Sequence, residues 1–445
     1  MAIQPEDVRL LANDRFRRLL ESRAAGQIGQ NAMLYTLLIL VVNETGSSIH
    51  SALLVTAFIL PSILFGLPAG GLADVLPKRP LLVLGHALRA ALVAAMIFYV
   101  DDVWRIYLLL LAFSTVSQFT GPAEAASLPR LVRRDQLASG NSWMAFALMV
   151  GQVAGAVTLA PFLLKLFGAR VSLGAAASTL IGASFLATMV AGLRADKRSE
   201  GVLRERVGLF NALTAGWAVL RSSRRAFLAL VYLTAMGTLA KALAVLSPHY
   251  TKDVLNIETE NTVFVVAPAA IGALVALVLT PPLTRWFGAA RVAAAGFFLY
   301  VLAIAGLGLV VYIRDFIADN VDLRLAFVEA EVGVSSISVV TMAMILAIPV
   351  GFAATVVGVA GRAVLNQEAP EGKQARVFAT QAALSSALSL LPLFVIGGVA
   401  ELVGVREVLL VAAVAAFLAG VYLSVSRRFG PPRRSSQRAR GNGRA

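Results

Sequence analysis

Residues 51–100 read SALLVTAFILPSILFGLPAGGLADVLPKRPLLVLGHALRAALVAAMIFYV, and this stretch decides the fold. Two apolar segments, 51–71 and 81–100, are separated by a short turn that holds Asp74, Pro77 and two adjacent basic residues. About 20 helical residues are needed to cross the roughly 30 Å of hydrocarbon in a bilayer. Only a helix satisfies its own backbone hydrogen bonds there. The stretch therefore predicts two membrane-spanning helices joined by a tight turn.

Apolar segments of similar length recur along the whole chain, each ended by turn-forming or charged residues. Hydrophobic residues make up 58% of the 445 residues and charged residues 14%, against about 45–50% and 25% in soluble domains. We therefore expect an all-α membrane protein with twelve transmembrane helices. The predicted spans are 24–42, 51–71, 81–100, 106–126, 143–167, 171–193, 226–247, 263–283, 289–312, 337–361, 377–400 and 405–425.

The basic residues are distributed unevenly between the two predicted faces. An even number of spans places both termini on one face, and that face collects 30 of the 39 Lys and Arg residues, against seven on the other. By the positive-inside rule both termini are cytoplasmic, in a multi-pass protein of the cell (inner) membrane. The formal charge of +14 then reflects topology and contact with anionic lipid headgroups, and we expect no nucleic-acid partner.

The chain divides into two similar halves around a basic segment. Residues 194–225 are rich in Arg but carry apolar residues at spacings of three and four, which predicts an amphipathic helix. We expect a six-helix bundle at 1–193, a cytoplasmic amphipathic linker at 194–225, a second six-helix bundle at 226–426 and a basic cytoplasmic tail at 427–445. In the acidic loop 314–336, residues 321–327 alternate in polarity and favour an extended segment, to which we assign no function.

Polar residues inside apolar spans are costly in lipid and therefore face a cavity or another helix. On span one Gln27, Asn31 and Tyr35 recur at spacings of four. Polar faces recur on spans seven and eleven. The predicted substrate-cavity residues are Gln27, Asn31, Tyr35, Thr234, Thr238, Lys241, Gln381 and Ser385. The alternative is that these side chains hydrogen-bond between helices and line no path.

Charged residues near the spans provide a second set of candidates. Asp74 ends span two and can cap a neighbouring helix or pair with a basic residue. With Gly70, Lys78 and Arg79 it forms a predicted conformational switch. Asp74, Glu124 and Arg89 are candidates for a proton or charge relay, although pairing or snorkelling to the interface is the ordinary outcome for Glu124 and Arg89.

These residues resemble the major facilitator superfamily. Its signature in the loop between spans two and three is Gly-x-Leu-Ala-Asp-Arg-x-Gly-Arg-Lys, and the matching residues here are Gly70, Leu72, Ala73, Asp74, Lys78 and Arg79. Val75 stands where this signature has Arg, and Pro77 stands where it has Gly. Gly121-Pro122-Ala123 and Leu128-Pro129 are similar to the branch that contains the enterobactin exporter and macrolide efflux proteins.

The resemblance implies two pseudo-symmetric six-helix bundles and a secondary active transporter that works by alternating access. It also implies efflux of a small amphiphilic molecule, such as a drug or a siderophore, in exchange for protons. The alternatives are a lysophospholipid transporter or flippase and a membrane sensor or assembly subunit that does not transport. We expect a monomer whose partners are its substrate, lipids and protons.

No enzymatic activity is expected from this sequence. It has no cysteine, no phosphate-binding glycine loop that ends in Lys-Ser/Thr and no His-Glu-x-x-His. Its three histidines, His50, His86 and His249, are far apart in the chain. We therefore predict no cofactor and no metal.

Overall fold

The computed structural model describes residues 10–133, 136–190, 217, 223–320, 338–369 and 374–425. Within these ranges the chain is almost entirely helical. The long helices are α1 (Asp14–Thr45), α2 (Ser48–Val75), α3 (Lys78–Met96), α4 (Val103–Leu131), α5 (137–167), α6 (169–188), α7 (Arg224–His249), α8 (Pro268–Phe287), α9 (Ala289–Gly308), α10 (Val339–Glu368), α11 (Gln374–Val403) and α12 (Val405–Val425).

The described residues contain eleven helical stretches that are long and apolar enough to cross a membrane. One of these stretches, 139–188, contains the fifth predicted span and most of the sixth. Gly168 interrupts it with a φ of 80°, a conformation that glycine adopts without steric cost. The helix therefore breaks into α5 and α6, and the prediction of twelve transmembrane helices is confirmed.

Polar caps fix where helices begin and tie neighbouring helices together. The Asn13 side-chain oxygen accepts hydrogen bonds from the backbone N–H of Arg15 (3.1 Å) and Phe16 (3.4 Å). Its amide nitrogen donates to the carbonyl oxygen of Leu131 at 2.8 Å. An N-cap of this kind is worth about 1 kcal/mol. Asn13 thus starts α1 and holds the end of α4 beside it.

The helices pack as two bundles with the same internal order. In the first half α2 packs on α4, and α3 packs on α4 and α6; in the second half α8 packs on α10, and α9 packs on α10 and α12. Buried apolar side chains form a separate core in each half, with Phe113 in the first and Phe297 and Tyr300 in the second. The fold is thus two pseudo-symmetric six-helix bundles.

The outer surface of the bundles is apolar. Leu391 and Leu402 of α11 expose 75% and 85% of their surface, and Leu108 of α4 exposes 69%. Contiguous exposure of this kind is rare in soluble monomers. The protein is therefore a multi-pass membrane protein, with lipid covering these side chains.

Three predicted segments fall wholly or mainly outside the described residues. They are the linker 194–225, in which Trp217 is described and is exposed, the basic tail 427–445, and the alternating segment 321–327. The beginning of the predicted acidic loop is helical, because a short helix follows α9 over Val310–Asn320. The domain boundaries at 193/194, 225/226 and 426/427 remain predictions.

Candidate transport site

A buried carboxylate in the first bundle is bound by a guanidinium from another helix. Glu124 of α4 is 4% exposed, and its Oε2 accepts a hydrogen bond from Nη1 of Arg23 of α1 at 2.5 Å. Nε of Arg23 donates to the carbonyl oxygen of Met144 of α5 at 3.1 Å. One side chain of α1 therefore ties α4 and α5 together in the interior of the bundle.

Two ionisable side chains of α3 extend this ion pair: His86 contacts the carboxylate, and Arg89 contacts His86. Nε2 of His86 lies 3.6 Å from Oε1 of Glu124. Arg89, one turn along, donates to Oε1 of Gln30 at 2.6 Å and lies 4.7 Å from the centre of the Phe113 ring. His86 and Arg89 are both buried. We call Arg23, Gln30, His86, Arg89 and Glu124 the N-bundle ion cluster.

Glycines make room for this cluster. A Cβ atom at Gly26 of α1 would lie 2.8 Å from Cε1 of His86, and a Cβ atom at Gly85 of α3 would overlap the methyl group of Thr120 on α4. Larger residues at these two positions would therefore push the helices apart. The close approach of α1, α3 and α4 is what brings His86 and Arg23 to Glu124.

The charge balance of this cluster depends on the protonation of its side chains. Nε2 of His86 and Nε of Arg89 are buried and lack a hydrogen-bond partner in the described structure, an arrangement that costs about 1–3 kcal/mol for each group. A proton on the imidazole would bring a second cation to Glu124, whereas a proton on Glu124 would release Arg23. Either event changes the attraction that holds three helices together.

A second group of polar side chains joins α7 and α11 in the other bundle. Thr234 and Ser385 share a hydrogen bond of 2.9 Å, and Gln381 donates to Ser385 at 3.0 Å. One to two turns further along α7, Nζ of Lys241 donates to Oγ of Ser389 at 2.8 Å. We call Thr234, Lys241, Gln381, Ser385 and Ser389 the α7–α11 polar seam. Thr238 lies between its members and bonds to the carbonyl oxygen of Thr234 at 2.9 Å.

The predicted polar face of α1 is half-buried and packs mainly against α5. Asn31 donates to the carbonyl oxygen of Gln27 at 2.8 Å. Cβ atoms built at Gly151 and Gly155 of α5 would collide with Gln27, Asn31 and the α1 backbone, so the two helices are in close contact. The Tyr35 hydroxyl points further along and donates to the carbonyl oxygen of Glu260 at 3.4 Å. The role of these residues as cavity lining remains a prediction.

The predicted switch residues lie at the ends of α2 and α3. Gly70 and Asp74 fall in the last turns of α2, and the side chain of Asp74 lies outside the described part of the structure. Lys78 is buried and donates to the carbonyl oxygen of Leu76 at 2.9 Å. Arg79 donates to the carbonyl oxygen of Thr188 and so joins α3 to the end of α6. A switching role for these residues is also still a prediction.

Polar contacts join the two bundles at one face of the molecule. We call the face where α1 begins and α12 ends the terminal face, and the other face the opposite face. At the opposite face Nδ2 of Asn43 donates to Oε1 of Glu260 at 2.8 Å, and Thr259 donates to Oδ1 of Asn43 at 2.6 Å. Lys165 donates to Oδ1 of Asn261 at 2.9 Å.

The strongest of these links places a carboxylate of one bundle on a helix N-terminus of the other. Oε1 of Glu401, at the end of α11, accepts hydrogen bonds from the hydroxyl of Ser47 and from the backbone N–H of Ile49 at 3.1 Å. Ser47 immediately precedes α2, and Ile49 lies in its first turn. The carboxylate meets the positive end of the helix dipole. One turn further in, Ser51 and Nε2 of His249 are 3.2 Å apart.

Apolar side chains of α2, α7 and α11 pack together on the interior side of these polar links. Ala52 and Ile59 of α2, Val245 of α7 and Leu393 of α11 form one buried cluster across the two bundles. Gly397 of α11 allows this contact, because a Cβ atom there would lie 2.6 Å from Cβ of Ala52. In this structure α2, α7 and α11 therefore form an apolar plug toward the opposite face.

An apolar groove opens between α7, α11 and α12. Its volume is about 480 Å³, within the range of small-molecule sites. Thr238 is the polar residue in a lining that otherwise consists of side chains such as Leu239, Val395, Ile396 and Val411. The groove thus places an apolar surface next to the α7–α11 polar seam.

Sequence reasoning found Glu124 and Arg89 but missed the partners that make them a cluster. In the sequence Arg23 reads only as a topology signal, and His86 does not stand out because the three histidines are far apart in the chain. His86 and Arg89 are three residues apart on one helical face, which was the available signal. Glu401 had no comparable signal, because its partners come from α2.

A family comparison matches residues 25–334 to the Major Facilitator Superfamily. A comparison with curated protein sequences gives no match. Among solved structures, the nucleoside transporter NupG is similar with a TM-score of 0.69 and 12% identity, covering 92% of this chain and 98% of that one.

A bacterial homologue of the iron transporter ferroportin is similar in two states. Its inward-facing state gives a TM-score of 0.60 at 16% identity, covering 93% of this chain and 99% of that one. Its outward-facing state gives a TM-score of 0.52 at 18% identity, covering 93% of this chain and 100% of that one. The family match spans more than half of the chain, and the fold agrees with it. The chain therefore belongs to the major facilitator superfamily of secondary transporters.

Proposed function

We propose that this transporter exports a small amphiphilic molecule from the cytoplasm in exchange for protons. The observation that carries the proton coupling is the N-bundle ion cluster, in which one buried carboxylate faces Arg23 on one oxygen and His86 on the other. Proton-driven transporters require an ionisable group that a helix rearrangement can expose to either side. The sequence resemblance to the enterobactin-exporter and macrolide-efflux branch supports the direction.

The coupling acts through the three helices that the cluster joins. Protonation of Glu124 removes the charge that holds Arg23, so α1 loses its tie to α4. Loss of a buried ion-pair partner costs about 3–5 kcal/mol, which is enough to shift a two-state equilibrium by more than a hundredfold. The proton thereby biases which side of the protein is open.

The orientation of the cycle follows from the charge distribution. The positive-inside rule makes the terminal face cytoplasmic. The opposite face is held together by Asn43, Glu260 and Glu401, so the described structure corresponds to a state closed toward the outside. The higher TM-score to the inward-facing ferroportin homologue supports this assignment.

The test uses purified protein in liposomes and three dansyl amphiphiles with the same aromatic body. Dansyl-β-alanine is an anion, dansyl-ethanolamine is neutral and dansyl-ethylenediamine is a cation. We expect an imposed pH gradient to accelerate the flux of at least one of them. Glu124→Gln removes this acceleration but retains exchange of the probe at equal pH.

Two further variants separate coupling from folding. Asp14→Asn makes the same charge change at an exposed position and should leave the gradient response intact. Arg23→Gln with Glu124→Gln removes both charges and avoids an unpaired buried Arg23. Full acceleration in Glu124→Gln would remove the proton role, and absence of flux for all three probes would count against transport of amphiphiles.

A second candidate is lysophospholipid transport, which the lateral groove favours. The groove between α7, α11 and α12 is apolar and of a volume that accepts part of an acyl chain. Its polar edge at Thr238 leads to Lys241, a cation suited to a phosphate group. Flux of labelled lysophosphatidylglycerol without flux of the dansyl compounds would favour this alternative.

A further inference from the structure

We infer that Lys241 binds an anionic group of the transported molecule, so that the substrate is an anionic amphiphile. This inference rests on the proposed transport function and specifies the chemistry of its substrate. It is carried by the contacts of Lys241, by its position beneath the plug, and by the adjoining groove.

Lys241 is a half-buried cation that has no counter-ion among the described residues. Its one described partner is the neutral hydroxyl of Ser389 at 2.8 Å, and within the described residues no carboxylate lies within ion-pair distance of its Nζ. Withdrawing an ammonium group from water costs several kcal/mol unless an opposite charge compensates it. A single hydrogen bond to Ser389 gives no such compensation, and a neutral Gln would make the same bond. The charge itself therefore requires another explanation.

The position of Lys241 gives that explanation. Val245 lies one turn beyond it on the same helix and is fully buried in the plug with Ala52, Ile59 and Leu393. Lys241 therefore lies directly beneath the plug, on the side of α7 that meets α11. A molecule that reaches the α7–α11 polar seam therefore meets the ammonium group next to the closed contact between the bundles.

The two polar clusters together carry an excess of positive charge. The N-bundle ion cluster contains Arg23 and Arg89 against Glu124, and the α7–α11 polar seam adds Lys241 without an acid. The two clusters thus contain three cations and one carboxylate. In a low-dielectric interior such an excess attracts anions and opposes the entry of cations.

The groove supplies the apolar half of the recognition. Thr238 lines it and lies three residues before Lys241, so a molecule whose charged end reaches Lys241 can place its body between α7, α11 and α12. The groove offers no charged residue in its lining. A charged head and an apolar body together define an amphiphile.

The experiment measures binding of the dansyl series to the full chain in nanodiscs. We expect wild-type protein to prefer dansyl-β-alanine over dansyl-ethanolamine and to bind dansyl-ethylenediamine least. Charged hydrogen bonds of this kind change affinity by about 10- to 100-fold. Lys241→Gln should therefore lower the affinity for dansyl-β-alanine by about that factor. The affinity for dansyl-ethanolamine should stay within about threefold of the wild-type value.

The controls separate charge from structure. Lys241→Arg keeps the charge and should retain the preference for the anion. Ser389→Ala removes the neutral partner but leaves the ammonium group, and should bind the anion at least as well as wild type. Unliganded Lys241→Gln should unfold at the same or a higher temperature, because an uncompensated charge has been removed. Unchanged anion binding in Lys241→Gln, or a wild-type preference for the cation, would overturn the inference.

Two further arms identify the source of the anion and keep this inference apart from proton coupling. If lysophosphatidylglycerol competes with dansyl-β-alanine and glycerol phosphate does not, the apolar body is required for binding. Equal competition by both would overturn the inference that the substrate is an amphiphile. If binding depends on Lys241 but flux does not respond to the pH gradient, proton coupling is wrong and the anion site at Lys241 stands. If the pH gradient drives flux but the probes show no charge preference, the anion site is wrong and proton coupling stands.

Discussion

Substitution of Glu401 should open the opposite face. Glu401→Gln keeps a side-chain oxygen that can accept from Ile49 but removes the charge that meets the N-terminus of α2. Charged hydrogen bonds contribute about 1.5–3 kcal/mol when shielded from water, and a charge at a helix terminus about 0.3–1 kcal/mol. Because Glu401 is solvent-exposed, we take the loss of stabilisation of the closed state in Glu401→Gln to be about 1–1.4 kcal/mol. The ratio of open to closed molecules should then rise about 5- to 10-fold.

The absence of cysteine from the sequence allows this ratio to be measured with two spin labels. Glu44→Cys, at the end of α1, and Lys252→Cys, after α7, place labels on the exposed ends of the two bundles at the opposite face. Double electron–electron resonance should show a larger long-distance population in Glu401→Gln than in the parent.

The matched control for this experiment is Glu407→Gln. It lies six residues further along, at the start of α12, and makes the same charge change. Its distance distribution should match that of the parent. An unchanged distribution in Glu401→Gln, or an equal change in Glu407→Gln, would refute the idea that Glu401 ties α11 to α2.

Two glycine substitutions test the close packing that brings the helices together, with thermal unfolding as the measurement. Gly85→Ala should lower stability by about 1–3 kcal/mol through overpacking, because the new Cβ overlaps the Thr120 methyl group. Thr120→Ser should restore most of the loss, whereas Gly182→Ala, which meets no atom within 4 Å, should cost nothing. Gly351→Ala should be at least as damaging, because its Cβ would overlap the backbone of α8, while Gly358→Ala on the same helix should be tolerated. Equal effects at the crowded and the open positions would contradict the described packing.

The site could be predicted in part from the spacing of polar residues along each helix. Spacing along α7 and along α11 predicts a polar face on each helix, and the structure brings Thr234 of the first face to Ser385 and Gln381 of the second. Spacing along α1 likewise places Tyr35 on a polar face, yet its hydroxyl contacts the segment before α8 at the opposite face. A helical period identifies a face but does not identify what that face meets.

The clearest example of this limit is Glu124. It lies seven residues from the end of α4, which from sequence made the membrane interface an ordinary place for it. Burial depends on Arg23 and His86 arriving from two other helices, and their approach depends on Gly26 and Gly85. No local pattern in α4 contains that information.

The sequence by itself determined that this protein lies in a lipid bilayer, that it is helical and which family it belongs to. Apolar length sets the number of spans because a bilayer leaves the backbone no other way to satisfy its hydrogen bonds. The tertiary structure decided which polar side chains meet, including Lys241 with Ser389 and Glu401 with the first turn of α2. The reason is that lipid-facing and helix-facing surfaces are both apolar in a membrane, so hydrophobic pattern alone does not select the partner of a helix.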